Sequence, residues 1–506
     1  MKIFRFLFNR ITVLILAAAV EVILIVWGFN FFAEKAAWME AVLRVLSVII
    51  AITIINNSRH LSSDMIWILV IVLFPVPGTA AYLLIGANLI SSRTYRSLNR
   101  ENIIARKYYV QDPEVMKEAQ TGDSSRKGDI RYLSDHAGFP FYRNQDFDYY
   151  KVGEEGYPVM LEELKKAKEF IFLEYFIIEK GKMWDSIHDI LKEKAEDGLD
   201  VRVMYDDFGS ISSIPVSYAR KLEKEGIQCI PFNRINPVIG AVMNHRDHRK
   251  ILVIDGKTAF TGGINLADEY INEKEKYGYW KDNCVRVKGE AVWSFTVLFL
   301  TSWNALRKTD EDYKVFYRKA DPGETDGWIA PYGQNPLNED SVGQSVYMNI
   351  LNSAENYVYI FTPYLIIDTD MQNALILAAE RGVDVRIITP GIPDKKIIFQ
   401  ITRSFYKPLI AGGVKIYEYT PGFDHAKVFV SDDQVATVGT LNLDYRSLYL
   451  HFENGVYVTG SKEVRKIRED FVDSMEKSHP VNPAEFKENV FHSMFVGFVK
   501  LFASQM

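Results

Sequence analysis

The sequence predicts an α/β protein built from two similar halves, preceded by an apolar helical region. Three observations carry that expectation. A strand, helix, strand pattern occurs twice in the same order, a five-residue motif recurs with identical spacing, and the composition changes near residue 110. At 506 residues the chain is too long for one core, so two or three domains are expected. A formal charge of −6 offers no bulk attraction to polyanions and argues against broad nucleic-acid binding. Cys229 and Cys284, the only cysteines, supply neither a disulfide framework nor zinc-ligand spacing.

Residues 1–110 read as a membrane-embedded anchoring region with three apolar segments. Ile11 to Phe32 is long enough for a spanning helix, Ala36 to Ile55 carries Glu40 and Arg44 near its start, and Met65 to Ala87 is broken by Pro75-Val76-Pro77-Gly78. Lys2, Arg5 and Arg10 precede the first segment; Arg93, Arg96, Arg100, Arg106 and Lys107 follow the third. Both flanks ask for the cytoplasmic side. Three full crossings cannot satisfy both, so the proline-broken segment is expected not to cross, leaving the soluble part on the cytoplasmic face. Glu21, within the first segment, is expected protonated or paired inside the helical region.

The two halves are expected at 130–310 and 341–480, joined by a linker at 311–340. "IFLEYFIIE" (171–179) matches "IFTPYLIID" (360–368), each a strand-type run. Helical patterns follow at Ile187, Ile190, Leu191 and at Ala374, Leu375, Ala378. "GLDVRVMYDD" (198–207) then matches "GVDVRIITPG" (382–391), with glycine closing the helix before a buried strand. This is the parallel crossover unit, twice. A second helix and strand end at "GIQCIPFN" and "GGVKIYEY".

At the same place in each half stands the motif H-x-K-x4-D-x6-G-x2-N: His248, Lys250, Asp255, Gly262, Asn265, then His425, Lys427, Asp432, Gly439, Asn442. One chance match in a chain of this composition is expected roughly once in ten thousand such chains, so two aligned matches mark a duplication. The repeat predicts a pseudo-twofold axis with one site where the motifs meet. Side chains two apart on a strand share a face, so histidine and lysine project together. Asp255-Gly256 signals a hairpin turn.

Imidazole, ammonium and amide, doubled, suit an anionic phosphodiester. His248, Lys250, Asp255, His425, Lys427 and Asp432 form the candidate catalytic set, and Asn265 and Asn442 the candidate phosphate-binding amides. One imidazole attacks phosphorus while the other protonates the leaving alkoxide. Asp255 and Asp432 sit at the turns, where they are expected to hold the hairpins. "YWKDNCVRVKGEAV" aligns with "LHFENGVYVTGSKEV", which makes Asp282 and Glu453 the expected orienters of the imidazoles. No metal ligand set is expected.

His188, His245, His451 and His492 lack such support and are expected to be structural or surface residues. Asp206-Asp207 reads as a strand-end turn rather than a metal site. Glu174 either reads a substrate hydroxyl or is an ordinary strand-edge carboxylate. Gly256-Lys257-Thr258 lacks the earlier glycine of a nucleotide-binding loop, since Ile251 stands there. Residues 481–506, with Phe491, Met494, Phe495, Phe498 and Leu501 at helical spacing, read as an amphipathic helix. That helix lies either on headgroups or on the soluble domain.

The paired motifs resemble those of the phospholipase D superfamily. "NHRDHRKILVIDGKTAFTGGINLADEY", "GTLNLDYRSLYLHFEN" and the apolar "WILVIVLFPVPGTAAYLLIG" resemble the bacterial cardiolipin synthases over nearly the whole chain. The resemblance implies two phospholipase D-type α/β sandwich halves. It also implies transfer of a phosphatidyl group from one phosphatidylglycerol to the hydroxyl of another, with release of glycerol, through a phosphatidyl-histidine. It further implies no metal, nucleotide or other cofactor, phospholipid partners at the cell membrane, and no nucleic-acid partner. In the superfamily the first motif commonly carries the nucleophile, which implies His248 as nucleophile and His425 as acid. Three apolar segments depart from the family's usual two.

Overall fold

Apolar, β-branched and aromatic runs bounded by turn residues become the strands of two mixed sheets. The computed structural model describes residues 37–57, 61–83, 93–235, 245–319, 325–338 and 340–485, with 20, 23, 494 and 497–500. The first half contributes β1 (Phe170–Tyr175), β2 (Asp200–Asp206), β3 (Gln228–Phe232), β4 (Lys250–Ile254), β5 (Thr258–Gly262) and β6 (Cys284–Lys288). The second contributes β7 (Tyr357–Phe361), β8 (Asp384–Pro390), β9 (Lys415–Tyr419), β10 (Val428–Ser431), β11 (Val435–Gly439) and β12 (Glu453–Thr459). The order β6-β5-β4-β1-β2-β3 is repeated strand for strand as β12-β11-β10-β7-β8-β9. In each half the first three strands are parallel and the last three antiparallel.

Every residue of β1 is buried, because helices cover both faces of a parallel strand. The helix Lys182–Glu196 between β1 and β2 turns Met183, Trp184, Ile187, Ile190 and Leu191 inward at the expected spacing. Asp255 and Gly256 both adopt positive φ, 51° and 62°, in the three-residue turn between the paired Ile254 and Thr258. Asp432 and Asp433 do the same between β10 and β11.

The stretch expected as a linker does more than connect. Trp328–Gln334 pairs with β12 along its whole length, and Tyr142–Arg143 adds outside it. Its glycine and proline read as loop chemistry, but six of its seven residues are buried. The N-terminal boundary moves as well. Helix Arg93–Ala105 packs on helix Val292–Arg307, and Leu98, Ala105 and Tyr108 join a core that runs through both halves. These residues belong to the α/β body, not to the anchoring region.

Among the described residues no helix is long and apolar enough to cross a membrane, so the expected spans are not supported. Helices Ala37–Asn57, Leu61–Leu73 and Pro75–Ala81 pack on one another around Ala51, Ile54 and Ile71. The break falls at Phe74, before the prolines, where the ring imino acid cannot continue the helix ladder. Most of Ile11 to Phe32, with Glu21, lies outside the described residues. So does most of 481–506, although Lys500 sits 3.7 Å from the Phe405 ring centroid.

Candidate active site

The site forms where each half lends a strand entry to the other. Ahead of β4, Asp247 bridges Phe452, with the His248 amide 2.9 Å from the Phe452 carbonyl. Ahead of β10, Gly422–Asp424 pairs in parallel with Tyr279–Lys281, and the His425 amide donates to the Lys281 carbonyl at 2.7 Å. The exchange is symmetrical. It carries the orienting carboxylates across the halves: His248 Nδ1 lies 2.9 Å from both oxygens of Glu453, and His425 Nδ1 lies 2.6 Å from Asp282 Oδ2. A neutral imidazole donating through Nδ1 keeps its Nε2 lone pair for chemistry.

Both rings wall one cavity of about 400 Å³, together with Asn265 and Asn442. Burial first, then the charges of Lys250 and Lys427, hold both imidazoles well below their ordinary value. The lysines themselves are buried and stand behind the wall. Lys250 Nζ donates to the His248 carbonyl at 2.6 Å, and Lys427 Nζ donates to the His425 carbonyl. Burial pushes Lys250 down to about 7 and Lys427 to about 8, and raises Asp282 to about 7. The lysines therefore act on the site through their field, reaching both rings.

Asn265 accepts from the Ile177 amide at 3.1 Å and donates to the Tyr270 hydroxyl at 2.7 Å; Asn442 donates to Asp444 at 3.0 Å. Each amide NH2 keeps a second hydrogen. Gly263 has a steric reason: a Cβ there would fall 1.9 Å from Asp282 Oδ1. Its counterpart Thr440 instead donates its hydroxyl to Glu453.

Asp255 and Asp432 do not reach the cavity, so their place in the catalytic set is positional rather than chemical. Asp255 accepts from the amides of Lys168, Glu169 and Phe170 at 2.8, 2.8 and 3.0 Å, tying the hairpin to the start of β1. Asp432 does the same for Glu355, Asn356 and Tyr357 and also binds Arg126 at 2.8 Å. Glu174 is buried 2.7 Å from Arg249, off the cavity. Asp206 accepts from the amides of Phe208 and Gly209, closing the strand-end turn. His188 pairs with Glu225 at 2.7 Å, His245 Nδ1 lies 2.9 Å from the Leu450 carbonyl, and His492 lies outside the described residues.

Sequence reasoning passed over His451. Its ring centroid is 5.7 Å from that of His248, and it walls the cavity with Arg246 and Arg446. The signal was spacing: Arg246 stands two before His248, and His451 two before Glu453, the same-face interval of a strand. Opposite, His425 is enclosed by Tyr270, Trp280 and Phe423, with centroids at 5.6, 5.4 and 5.7 Å. Among the described residues His248, His451 and Glu453 alone bring metal-type donor atoms together, within 4.8 Å. Glu453 already accepts from His248 and Thr440, and His451 Nδ1 stands 3.7 Å from it, beyond hydrogen-bond reach.

The family described as "Cardiolipin synthase, PLD-like domain" matches residues 160–291 and 347–475, and "Phospholipase_D-nuclease N-terminal" matches 45–86. A Streptococcus mutans protein described as uncharacterized is 43% identical over 88% of this chain and 97% of its own. Cardiolipin synthase of Halalkalibacterium halodurans is 30% identical over 96% and 97%, and cardiolipin synthase 2 of Bacillus anthracis 34% over 89% and 88%. Among solved structures, phosphatidylserine synthase of Haemophilus influenzae shares the fold at a TM-score of 0.58 and 16% identity, over 74% of this chain and 96% of that one.

Proposed function

The chain belongs to the cardiolipin synthase family of phospholipase D-like enzymes, and we propose that its two motifs make cardiolipin from two phosphatidylglycerol molecules through a covalent histidine intermediate. It is a phosphatidyltransferase acting on phospholipids. One observation carries the mechanism: two imidazoles, each pinned at Nδ1 by a carboxylate of the opposite half, wall the same cavity.

Burial and the lysines hold both rings well below their ordinary value, so each is neutral near pH 7. An arriving phosphodiester anion favours a proton on one of them. His248 Nε2 attacks phosphorus; the bond to the headgroup glycerol breaks as His425 gives its Nε2 proton to the departing alkoxide. The acceptor hydroxyl then passes its proton to His425 as its oxygen attacks phosphorus. The bond to His248 breaks, and cardiolipin leaves with both rings restored. Asn265, Asn442 and the lysine field oppose the charge gathering on the non-bridging oxygens. Every step exchanges one phosphodiester-level bond for another, so the protein's own residues suffice.

The reading places the apolar region ahead of Arg93 at the cell membrane as a multi-pass anchor, with the two halves on the cytoplasmic face. Its support is the outward display of Val45, Val48, Ile49, Ile52, Ile55, Val72 and Leu73 by the N-terminal helices, and the basic flanks. Acidic net charge speaks against a nucleic-acid substrate. Purified protein incubated with phosphatidylglycerol alone is expected to yield cardiolipin and glycerol, and quenching in neutral denaturant to leave a phosphatidyl group on the His248 peptide. Phosphatidic acid as sole product makes the protein a hydrolase and sinks the proposal.

A further inference from the structure

Cardiolipin carries two phosphates joined by one glycerol, so the acceptor brings a second phosphodiester to the cavity one glycerol away from the reacting phosphorus. The histidines, lysines and asparagines of the motifs serve the first anion. The repeat shows where the second is met. Arg246, Arg446 and His451 occupy the places held in the other motif by Phe423, Glu269 and Trp280, and all six side chains wall the same cavity. One wall thus carries two guanidiniums, with Asp444 beside them, where its duplicate is aromatic and acidic.

We propose that Arg246 and Arg446 seat the phosphodiester of the acceptor lipid, an inference that rests on the synthase reading above. Arg246 is buried over the Phe208 ring, its guanidinium 5.2 Å from the centroid, and donates to the Asn233 carbonyl at 2.9 Å. Arg446 gives its Nε to His451 Nε2 at 3.2 Å, and His451 lies against His248. The seat is therefore contiguous with the reacting ring. Burial first, then the charge of Arg246, hold Arg446 below its ordinary value against Asp444 and Asp206, and an anion bound between the guanidiniums relieves that. Two buried carboxylates lie beside them: Asp206, 3.8 Å from Arg246, also accepts from the Phe208, Gly209 and Asp247 amides, and Asp444 from the Ser447 amide and Asn442, while burial raises both above the ordinary carboxylate range. A guanidinium fork matches two phosphate oxygens at once. The other cations on the cavity, Lys276 and Lys395, sit at its rim, 39% and 65% exposed, beside Glu269 and Asp394. Water screens such pairs, so they hold an anion weakly.

The test offers phosphatidylglycerol vesicles together with ethanol, an acceptor without phosphate. Wild-type protein forms cardiolipin and phosphatidylethanol from the same phosphatidyl-enzyme; no cardiolipin from wild type refutes the synthase reading itself. With that reading standing, Arg446→Gln is expected to lower the cardiolipin to phosphatidylethanol ratio about tenfold or more, the scale of a lost bidentate charge-assisted contact. If Arg446→Gln loses both products, Arg446→Lys decides. It keeps charge and stem but cannot span two oxygens, so the ratio should still fall. A wild-type ratio in Arg446→Lys, or a fall produced by Lys276→Gln with Lys395→Gln and not by the arginine variants, overturns the proposal.

Discussion

The two halves present one motif on the same strands, yet their histidines meet different surroundings. His248 faces Arg246, Arg446 and His451; His425 faces Phe423, Trp280 and Tyr270. Their carboxylates differ as well. Glu453 spans a longer reach and takes the Thr440 hydroxyl, whereas the shorter Asp282 presses against Gly263. Duplication keeps the backbone, and the flanking side chains divide the labour. The ring beside the two guanidiniums lies next to the seat proposed for the acceptor's own phosphodiester. A ring boxed by aromatics suits a leaving alcohol, whose carbons those rings cover.

The division breaks most visibly if the rings are removed one at a time. His248→Ala should leave no phosphatidyl-enzyme with any donor. His425→Ala should lose about 10²–10⁴-fold with phosphatidylglycerol, yet still release p-nitrophenol in a burst from a phosphatidyl-p-nitrophenol donor, whose leaving group needs no proton. A burst retained by the His248 variant and lost by the His425 variant reverses the roles. The carboxylates come next. Glu453→Gln and Asp282→Asn should each cost about 10³-fold by freeing the wrong tautomer. Thr440→Val, smaller at about tenfold, should slow the nitrophenol burst; Gly263→Ala, which drives a methyl into Asp282, should slow cardiolipin release while sparing that burst.

Much of this was legible before any coordinates. Identical spacing of His248 to Asn265 and His425 to Asn442 located two hairpins and one shared site, and aligning "YWKDN" with "LHFEN" found Asp282 and Glu453. Which carboxylate serves which ring was not legible, because it depends on the parallel pairing of Asp247 with Phe452 and of Asp424 with Lys281, contacts far apart along the chain. His451 escaped for a related reason: in its own half it follows a turn, and only the exchange brings it to His248. Trp328–Gln334 read as linker because Pro331 and Gly333 mimic loop chemistry in a strand whose burial comes from distant partners. Apolarity alone marked the N-terminal helices, yet among the described residues none is long and apolar enough to cross a bilayer.

The paired turn aspartates extend the comparison to stability. Asp255 and Asp432 clamp equivalent hairpins, but only Asp432 also holds a buried arginine, Arg126. Asp255→Ala should cost about 2 kcal/mol for its unpaired amides, and Asp432→Ala about 3 kcal/mol, since it strands a cation as well. Urea unfolding measures both. Turnover per folded molecule should change little; a tenfold loss in either would restore that aspartate to the chemistry.

The smallest effect isolates His451 from its counterpart Trp280. Burial holds His451 down to about 3, with Arg446 and His248 pushing the same way against Glu453. Unfolded, this imidazole titrates near about 6.5. Below that value the unfolded chain binds a proton that the folded chain refuses, so the group's contribution is complete above about pH 7.5 and is lost as pH falls. The loss runs at about 1.4 kcal/mol per unit and reaches ~2 kcal/mol at pH 5. His451→Asn removes this dependence, so relative to wild type the variant should gain stability between pH 7.5 and 5. Trp280→Phe, at the equivalent place beside the other ring, has no proton to lose and should differ from wild type by the same amount at both pH values. An unchanged gap for His451→Asn would mean that the folded protein admits the proton, and that the cationic wall is less closed to water than its aromatic twin.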